Sequence, residues 1–475
     1  MANSERSAAR ARYGRCETMA GNIEQIVPRC GAARPLWGEL RTRAKAGRLW
    51  FDHDSSLRSG RFIPSIGPQL ERPKKTTRST TNFTLRWAVP PGCARYQPMM
   101  EAKQEPVLAG RNRILTLDGG GVRGFFSIEI LGRMEQMLRD HLGKPRLVLA
   151  DHFDFIAGTS TGAIIATLLS WGEPVEAIRK LYNDRCREIF PKFAPWKVWH
   201  LRRVTRALYN SEPLSVFLRN FFIDPDTQET ALLRTKRLRT KLLVCMRNAT
   251  TGSAWPITNN PNAKYNLEDI PDCNLNIPLW QLVRASTAAP VFFLPEKIKV
   301  GSNAFAFMDG GVTSYNNPAL IASLMATLPC YKMEWPAGKD RLLLVSIGTG
   351  RIRSVLTDAS LRTLNIGISL ASVPGGLMEN VSLQQDFICR IIGSCVFGDP
   401  IDSEIGDLIQ REEEHAGEEK KFSYVRYDHR FMDEEVASAE KQYGRFSLSN
   451  TRMIPFLAEI GKNYAERNVR IEHLL

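Results

Sequence analysis

From Arg113 onward the chain alternates short apolar runs with clusters of glycine and small polar residues. Ile114-Leu115-Thr116-Leu117 is an apolar run that enters a glycine cluster, the pattern of a buried strand in an α/β sheet. After Gly124, apolar residues recur at Phe125, Ile128, Leu131, Met134 and Leu138, which is the one-face period of a helix. Residues 153–157 read as the next strand and 163–170 as a largely buried helix. Further strands are predicted at 241–246, 304–308 and 341–347, and helices at 278–285 and 318–328. This alternation predicts an α/β fold over 113–350: a mostly parallel central sheet with helices on both faces.

The flanks read differently. Between 55 and 105 the chain is rich in Pro, Arg, Ser and Thr, and Pro64, Pro68, Pro73, Pro90, Pro91, Pro98 and Pro106 would interrupt helices and central strands. Residues 1–112 are therefore expected to be a basic N-terminal extension and linker, largely disordered. Met99 and Met100 just precede the first clear strand, so the functional protein is hypothesised to start there. An intact mass of the natively expressed protein that matches the full length would end that idea. Residues 351–475 read as a C-terminal helical appendage to the same domain. In it, 369–392 has helical spacing broken by Pro374-Gly375-Gly376, 422–427 suits an added strand, and the mixed charges of 411–421 suit a solvated face.

Composition narrows the class. At 43% hydrophobic and 24% charged residues, the chain of 475 is neither fibrous nor wholly disordered. The net charge is +14, and it is uneven: residues 1–112 hold 20 Lys/Arg against 9 Asp/Glu, the remainder 44 against 41. A basic arm suits peripheral contact with an anionic membrane or with nucleic acid. Aromatic interleaving and a recognition element are missing, so no nucleic acid is expected. The uncharged stretch 155–172 is interrupted by Gly, Thr and Ser and makes a poor membrane span. The first thirty residues show no apolar core of a signal peptide. Nine cysteines without a Cys-x-x-Cys pair suggest neither zinc nor a disulfide framework, which fits a reducing, cytoplasmic setting.

Three strand-end motifs carry the chemistry. In Gly158-Thr159-Ser160-Thr161-Gly162, between a strand and a helix, small neighbours let a serine sit on a sharp, strained bend. The helix that follows turns its positive end towards the hydroxyl, where a developing oxyanion would be favoured. In Asp118-Gly119-Gly120-Gly121-Val122-Arg123-Gly124, bare backbone N–H groups suit binding of negative charge. A dinucleotide reading of these glycines needs an acid at the end of a second strand, whereas Asp140 lies in the helical pattern. The oxyanion reading is the better fit. Asp309-Gly310-Gly311 follows the strand at 304–308, and alone it reads as a turn. Histidine is informative by its placement: none of His53, His141, His152, His200, His415, His429 and His473 stands in the strand-end context of a Ser-acid-His triad. His429 reads as a surface residue and His152 as a structural one.

Together these motifs resemble the patatin-like phospholipase family, from about 113 to 320 and on through Ser346-Ile347-Gly348-Thr349-Gly350. Residues 285–292, Ala-Ser-Thr-Ala-Ala-Pro-Val-Phe, also look like the segment that precedes the family's catalytic Asp strand. The resemblance implies a lipid acyl hydrolase of phospholipase A or lysophospholipase type. Ser160 would be its nucleophile, Asp309 its base, and Gly119, Gly120, Gly121 and Val122 its oxyanion hole. Asp118, Arg123, Gly124, Gly158, Thr161, Gly162, Gly310 and Gly311 would support the motifs, Arg123 by bracing its loop. The expected substrate is a phospholipid or other acyl lipid, with no cofactor and no metal. Acyl transfer by the same dyad, or a membrane-damaging effector switched on by a partner, are the alternatives. Oligomeric state is left open.

Overall fold

Strand β1 (Asn112–Leu117) is buried from Ile114 onward because it occupies the middle of a sheet, with β2 (Phe155–Thr159) on one side and β7 (Leu342–Ile347) on the other. The computed structural model describes residues 110–189, 209–224, 226–267, 270–352, 366–402, 404–409 and 419–475. Residues 1–109, with Met99 and Met100, and 411–418 of the mixed-charge run lie outside them.

The helices of the first half are α1 (Gly124–Leu142), α2 (Thr161–Trp171), α3 (Val175–Ile189), α4 (Glu212–Phe221) and α5 (Leu279–Ser286). Strands β3 (Lys241–Asn248), β4 (Ala254–Thr258), β5 (Glu296–Val300) and β6 (Asn303–Asp309) accompany them, followed by α6 (Ala319–Thr327). After β7 come β8 (Arg351–Ile352), α7 (Ile366–Ile392), β9 (Ser394–Gly398), β10 (Ser423–Tyr427) and β11 (Arg430–Phe431), then α8 (Asp433–Tyr443) and α9 (Ile454–Asn468). The sheet order is β5-β6-β3-β2-β1-β7-β10-β9, with β4 on β3 and a separate pair of β8 and β11. From β3 to β9 the neighbours are parallel. At the other end β4 and β6 run antiparallel to β3, and β5 antiparallel to β6. The sheet is thus mixed, mostly parallel, and covered on both faces.

The two-residue period of the strands sorts their side chains into two cores. Leu115, Leu117, Ile156, Val244 and Val345 face the side of α1, α2 and α9. Ile114, Phe155, Ala157, Leu243 and Leu344 face the side of α6. Such double-sided burial explains why these strands read as continuous apolar runs.

The C-terminal third departs from its sequence reading in two ways. It is not only helical: the strand expected at 422–427 is β10, in register beside β7, and β9, which the sequence did not announce, pairs with β10, so both complete the central sheet. Every residue of β10 is buried, which a strand achieves only inside a sheet. The second departure is at Pro374-Gly375-Gly376, through which α7 runs as one helix of 27 residues. A proline removes a single intrahelical bond, at a cost of about 3 kcal/mol, and tertiary contacts offset that here. Met378 of this helix reaches Gly311, and Ser382 holds Asn316. The sequence reading also left α8 and α9 unassigned. Gly461 of α9 lets that helix close on Phe126 and Glu129 of α1. Among the described residues no helix is long and apolar enough to cross a membrane.

Candidate active site

Register brings the two motif residues together. Thr159, the last residue of β2, pairs with Cys245 of β3. Asp309, the last residue of β6, pairs with Met246 of the same strand. Because β4 occupies the opposite edge at both Cys245 and Met246, β2 and β6 must lie along one and the same edge of β3. They approach end to end, and Ser160 leaves β2 where Asp309 arrives.

The serine stands on a strained bend. Ser160 has φ +55° and ψ −122°, a conformation that a residue with a Cβ adopts only when its surroundings over-determine it. Gly162 shows why the flanks must be small, since a Cβ there would overlap the carbonyl oxygen of Leu117. Ser160 Oγ donates to Asp309 Oδ2 at 2.6 Å, and the Gly311 N–H donates to Asp309 Oδ1 at 2.7 Å. Ser160 is the residue from which α2 starts, and every residue of that helix is buried.

Burial dominates the electrostatics. Asp309 is 2% exposed, and burial pushes its carboxyl up to about 6, against the opposing pull of the Ser160 hydroxyl, the Gly311 N–H and Arg284. A carboxylate with so raised an affinity for protons is a much better base than a free aspartate near ~3.9. Serine, buried acid and helix N-terminus form an arrangement suited to nucleophilic attack with proton transfer.

The glycine-rich loop faces the pair, and only part of it is free to bind an anion. The N–H of Gly119 donates to Asn316 O at 3.1 Å, and that of Val122 to Leu448 O at 2.9 Å. Of the four residues expected to form an oxyanion hole, these two have their amides engaged. Gly120 and Gly121 line the cavity beside Ser160 and Asp309, and their N–H groups have no protein acceptor among the described residues. Arg123 Nη1 donates to Gly350 O at 2.9 Å, bracing the loop.

That cavity measures about 530 Å³ and is overwhelmingly apolar. From Ser160 it runs past Ile164 and Leu168 of α2, Tyr182 of α3, Phe217 of α4 and Phe292. Residues 446–449 close it over the glycine loop. Its volume falls in the range of small-molecule sites, roughly 300–1,000 Å³.

Residues 115–323 match the sequence profile of the patatin-like phospholipase family. They form a patatin-like phospholipase domain. A cGAMP-activated phospholipase of Escherichia coli is 30% identical over 240 residues, 50% of this chain and 62% of that protein. Patatin-like protein 1 of Arabidopsis thaliana is 31% identical over 260 residues, 50% of this chain and 58% of its own length. The 85/88 kDa calcium-independent phospholipase A2 of Rattus norvegicus is 27% identical over 297 residues, 59% of this chain and 32% of that protein. The match thus spans less than two thirds of each relative.

The patatin-like domain also depends on residues that no motif flagged. Arg426 of β10, fully buried, grips both oxygens of Asp118 at 2.9 and 2.7 Å, reaching across β7 where it also bonds Ser346. It pairs further with Asp428, which accepts the Gly350 N–H at 3.1 Å. One signal was available: a lone arginine inside the otherwise uncharged run Ser-Tyr-Val-Arg-Tyr implies a buried partner. Ser286 lies in the family-like segment 285–292, although nothing in the sequence gives its role, and Asn316 carries no comparable signal. His429 is half-buried rather than a surface residue, stacked near Phe126 and Tyr464 and bonded to Glu435. His152 is buried and bonded to Leu474 O, and burial lowers it to about 4. Among the described residues no group of three or more His, Cys, Asp or Glu gathers as metal ligands would.

Proposed function

We propose that this chain hydrolyses acyl esters of phospholipids or related acyl lipids through an acyl-serine intermediate. The observation that carries the reading is the 2.6 Å hydrogen bond from Ser160 Oγ to Asp309 at the end of an apolar cavity. In this mechanism Asp309 takes the hydroxyl proton as Oγ attacks the ester carbonyl carbon. The tetrahedral oxyanion is met by the N–H groups of Gly120 and Gly121. When the C–O bond breaks, the leaving alkoxide takes the proton back from Asp309. Water then attacks the acyl-serine and gives its proton to Asp309. Collapse releases the fatty acid, and the proton returns to Ser160.

The apolar walls of the cavity support an acyl chain as the buried part of the substrate, with burial worth roughly 0.8 kcal/mol per methylene. The basic composition of 1–112 and the mostly apolar walls of the cavity favour a substrate presented at a lipid surface. The test is a panel of phospholipids, lysophospholipids and soluble esters assayed with the parent chain and Ser160→Ala side by side, with and without an alcohol acceptor. Fatty acid release by the parent alone supports hydrolysis. Acyl esters of the acceptor as main product would favour acyl transfer, and equal turnover by Ser160→Ala would end the reading.

A further inference from the structure

Ser160 and Asp309 each make a backbone contact that the chemistry itself does not call for, and both contacts go to one short segment. The Ser160 N–H donates to Ser286 Oγ at 2.9 Å. That hydroxyl, with no exposed surface, donates onward to Cys245 O at 2.6 Å. Two residues later, Ala288 O accepts the Asp309 N–H at 3.0 Å. The segment closes α5 and is firmly held: Thr287 Oγ1 donates to Arg284 O at 2.9 Å, and the Arg284 guanidinium lies 5.2 Å over the Phe293 ring. Cys245 is also the register partner of Thr159, so the Ser286 hydroxyl ties the serine bend to the very strand that β2 and β6 share.

We propose that Ser286–Ala288 acts as a strap that sets the distance between Ser160 Oγ and Asp309, with Ser286 as its positioning residue. The inference rests on the hydrolase reading of the same site and deepens it. Its physical basis is the bend at Ser160, whose positive φ persists only while its N–H and flanking carbonyls are held. Serine at 286 satisfies the Ser160 N–H as acceptor and Cys245 O as donor at once, a double role that an alanine cannot fill. With the hydroxyl gone, a buried N–H is left without a partner and the bend relaxes towards another acceptor. Oγ then leaves its line to the carboxylate, and a misplacement of about 1 Å costs roughly 10²-fold in rate. Substrate binding, which lies in the cavity walls, is untouched.

The experiment compares the parent chain, Ser286→Ala and Ser286→Cys on 4-nitrophenyl butyrate, with Ser160→Ala as blank. In Ser286→Ala, kcat is expected to fall by roughly 10²-fold while KM stays within about a factor of two. Labelling of Ser160 by a fluorophosphonate should slow by the same factor. Ser286→Cys, with a weaker hydrogen-bonding group of similar size, should fall between. The acid limb of the pH profile should also move to higher pH, because Asp309 loses the hydroxyl that lowers it. A purely structural role for Ser286 would lower the amount of folded enzyme and leave that limb in place.

A folded Ser286→Ala with kcat within about threefold of the parent overturns the strap, as does a loss that tracks unfolding with the limb unmoved. If Ser286→Ala does not fold, Ser286→Cys is judged by the same criteria. A parent chain that turns over no ester sinks the hydrolase reading and the strap together. An active parent beside an equally active Ser286→Ala sinks the strap alone.

Discussion

Thr159 and Asp309 occupy successive register positions along one edge of β3, paired with Cys245 and Met246. The parallel strand β2 ends where the antiparallel strand β6 ends, so two loops separated by 149 residues deliver a hydroxyl and a carboxyl to a single point. A parallel strand in the place of β6 would have ended too far along the sheet to meet Ser160. The reversal of direction at this end of the sheet is therefore what closes the candidate dyad.

The pH dependence of turnover follows from the environment of Asp309. In the proposed mechanism its carboxyl, pushed up to about 6 by burial, must be ionised to accept the serine proton. Turnover should be flat at neutral pH and fall about tenfold per unit below the region of pH 6. A kcat/KM profile on a soluble ester gives the answer, and an acid limb near the ordinary aspartate value of ~3.9 would contradict the assignment.

The same burial sets a stability cost. Because the folded-state affinity of Asp309 for its proton exceeds that of the unfolded chain, the native state binds more protons between about pH 4 and 6. Its favourable contribution is complete below the unfolded value and is lost as pH rises through about 6. Asp309→Asn should therefore lose at least ~10³-fold in kcat. It should nonetheless be no less stable than the parent at pH 8, with an advantage of up to about 2–3 kcal/mol that shrinks towards pH 4. Urea unfolding at the two pH values measures the difference.

Arg426 is expected to be indispensable to the fold around the glycine loop. Arg426→Met strands the buried Asp118 without its cation, while Asp428 keeps Arg351 at 3.2 Å, and should cost about 3–5 kcal/mol in denaturant unfolding. Adding Asp118→Leu to it should restore part of that loss, since the uncompensated charge is the larger penalty. A double variant no better than Arg426→Met would show that Asp428 alone governs the site.

Gly121 has φ +58°, and a Cβ there would overlap the Leu448 carbonyl that receives the Val122 N–H. Gly121→Ala should displace the loop and lower kcat by ~10²–10³-fold, the range for loss of an oxyanion donor. Fluorophosphonate labelling should slow in parallel. An alanine variant with parental kcat would remove this loop from the chemistry.

The cavity should govern chain length. Ile164, one turn of α2 beyond Ser160, lines it, so Ile164→Phe is expected to lower kcat/KM for long acyl chains by roughly tenfold or more, with short chains little affected. A chain-length series with both proteins decides it. An equal loss on all chains would place the acyl group elsewhere.

Much of this architecture was legible in the chain, and for local reasons. The apolar run at Ile114, the helical spacing after Gly124 and the small residues around Ser160 reflect interactions between near neighbours, so strand, helix and bend could be read and the three motifs recognised. What spacing could not convey was partnership across hundreds of residues: Arg426 on Asp118, Ser286 under Ser160, Leu448 on Val122. Nor could it tell that the amides of Gly119 and Val122 are already engaged, because an N–H is available or not according to what packs opposite it. The sequence alone determined which residue types could attack, accept a proton and cradle an anion. Only the tertiary structure decided which of them meet, since a hydrogen bond is set by ångströms in space and carries no trace along the chain.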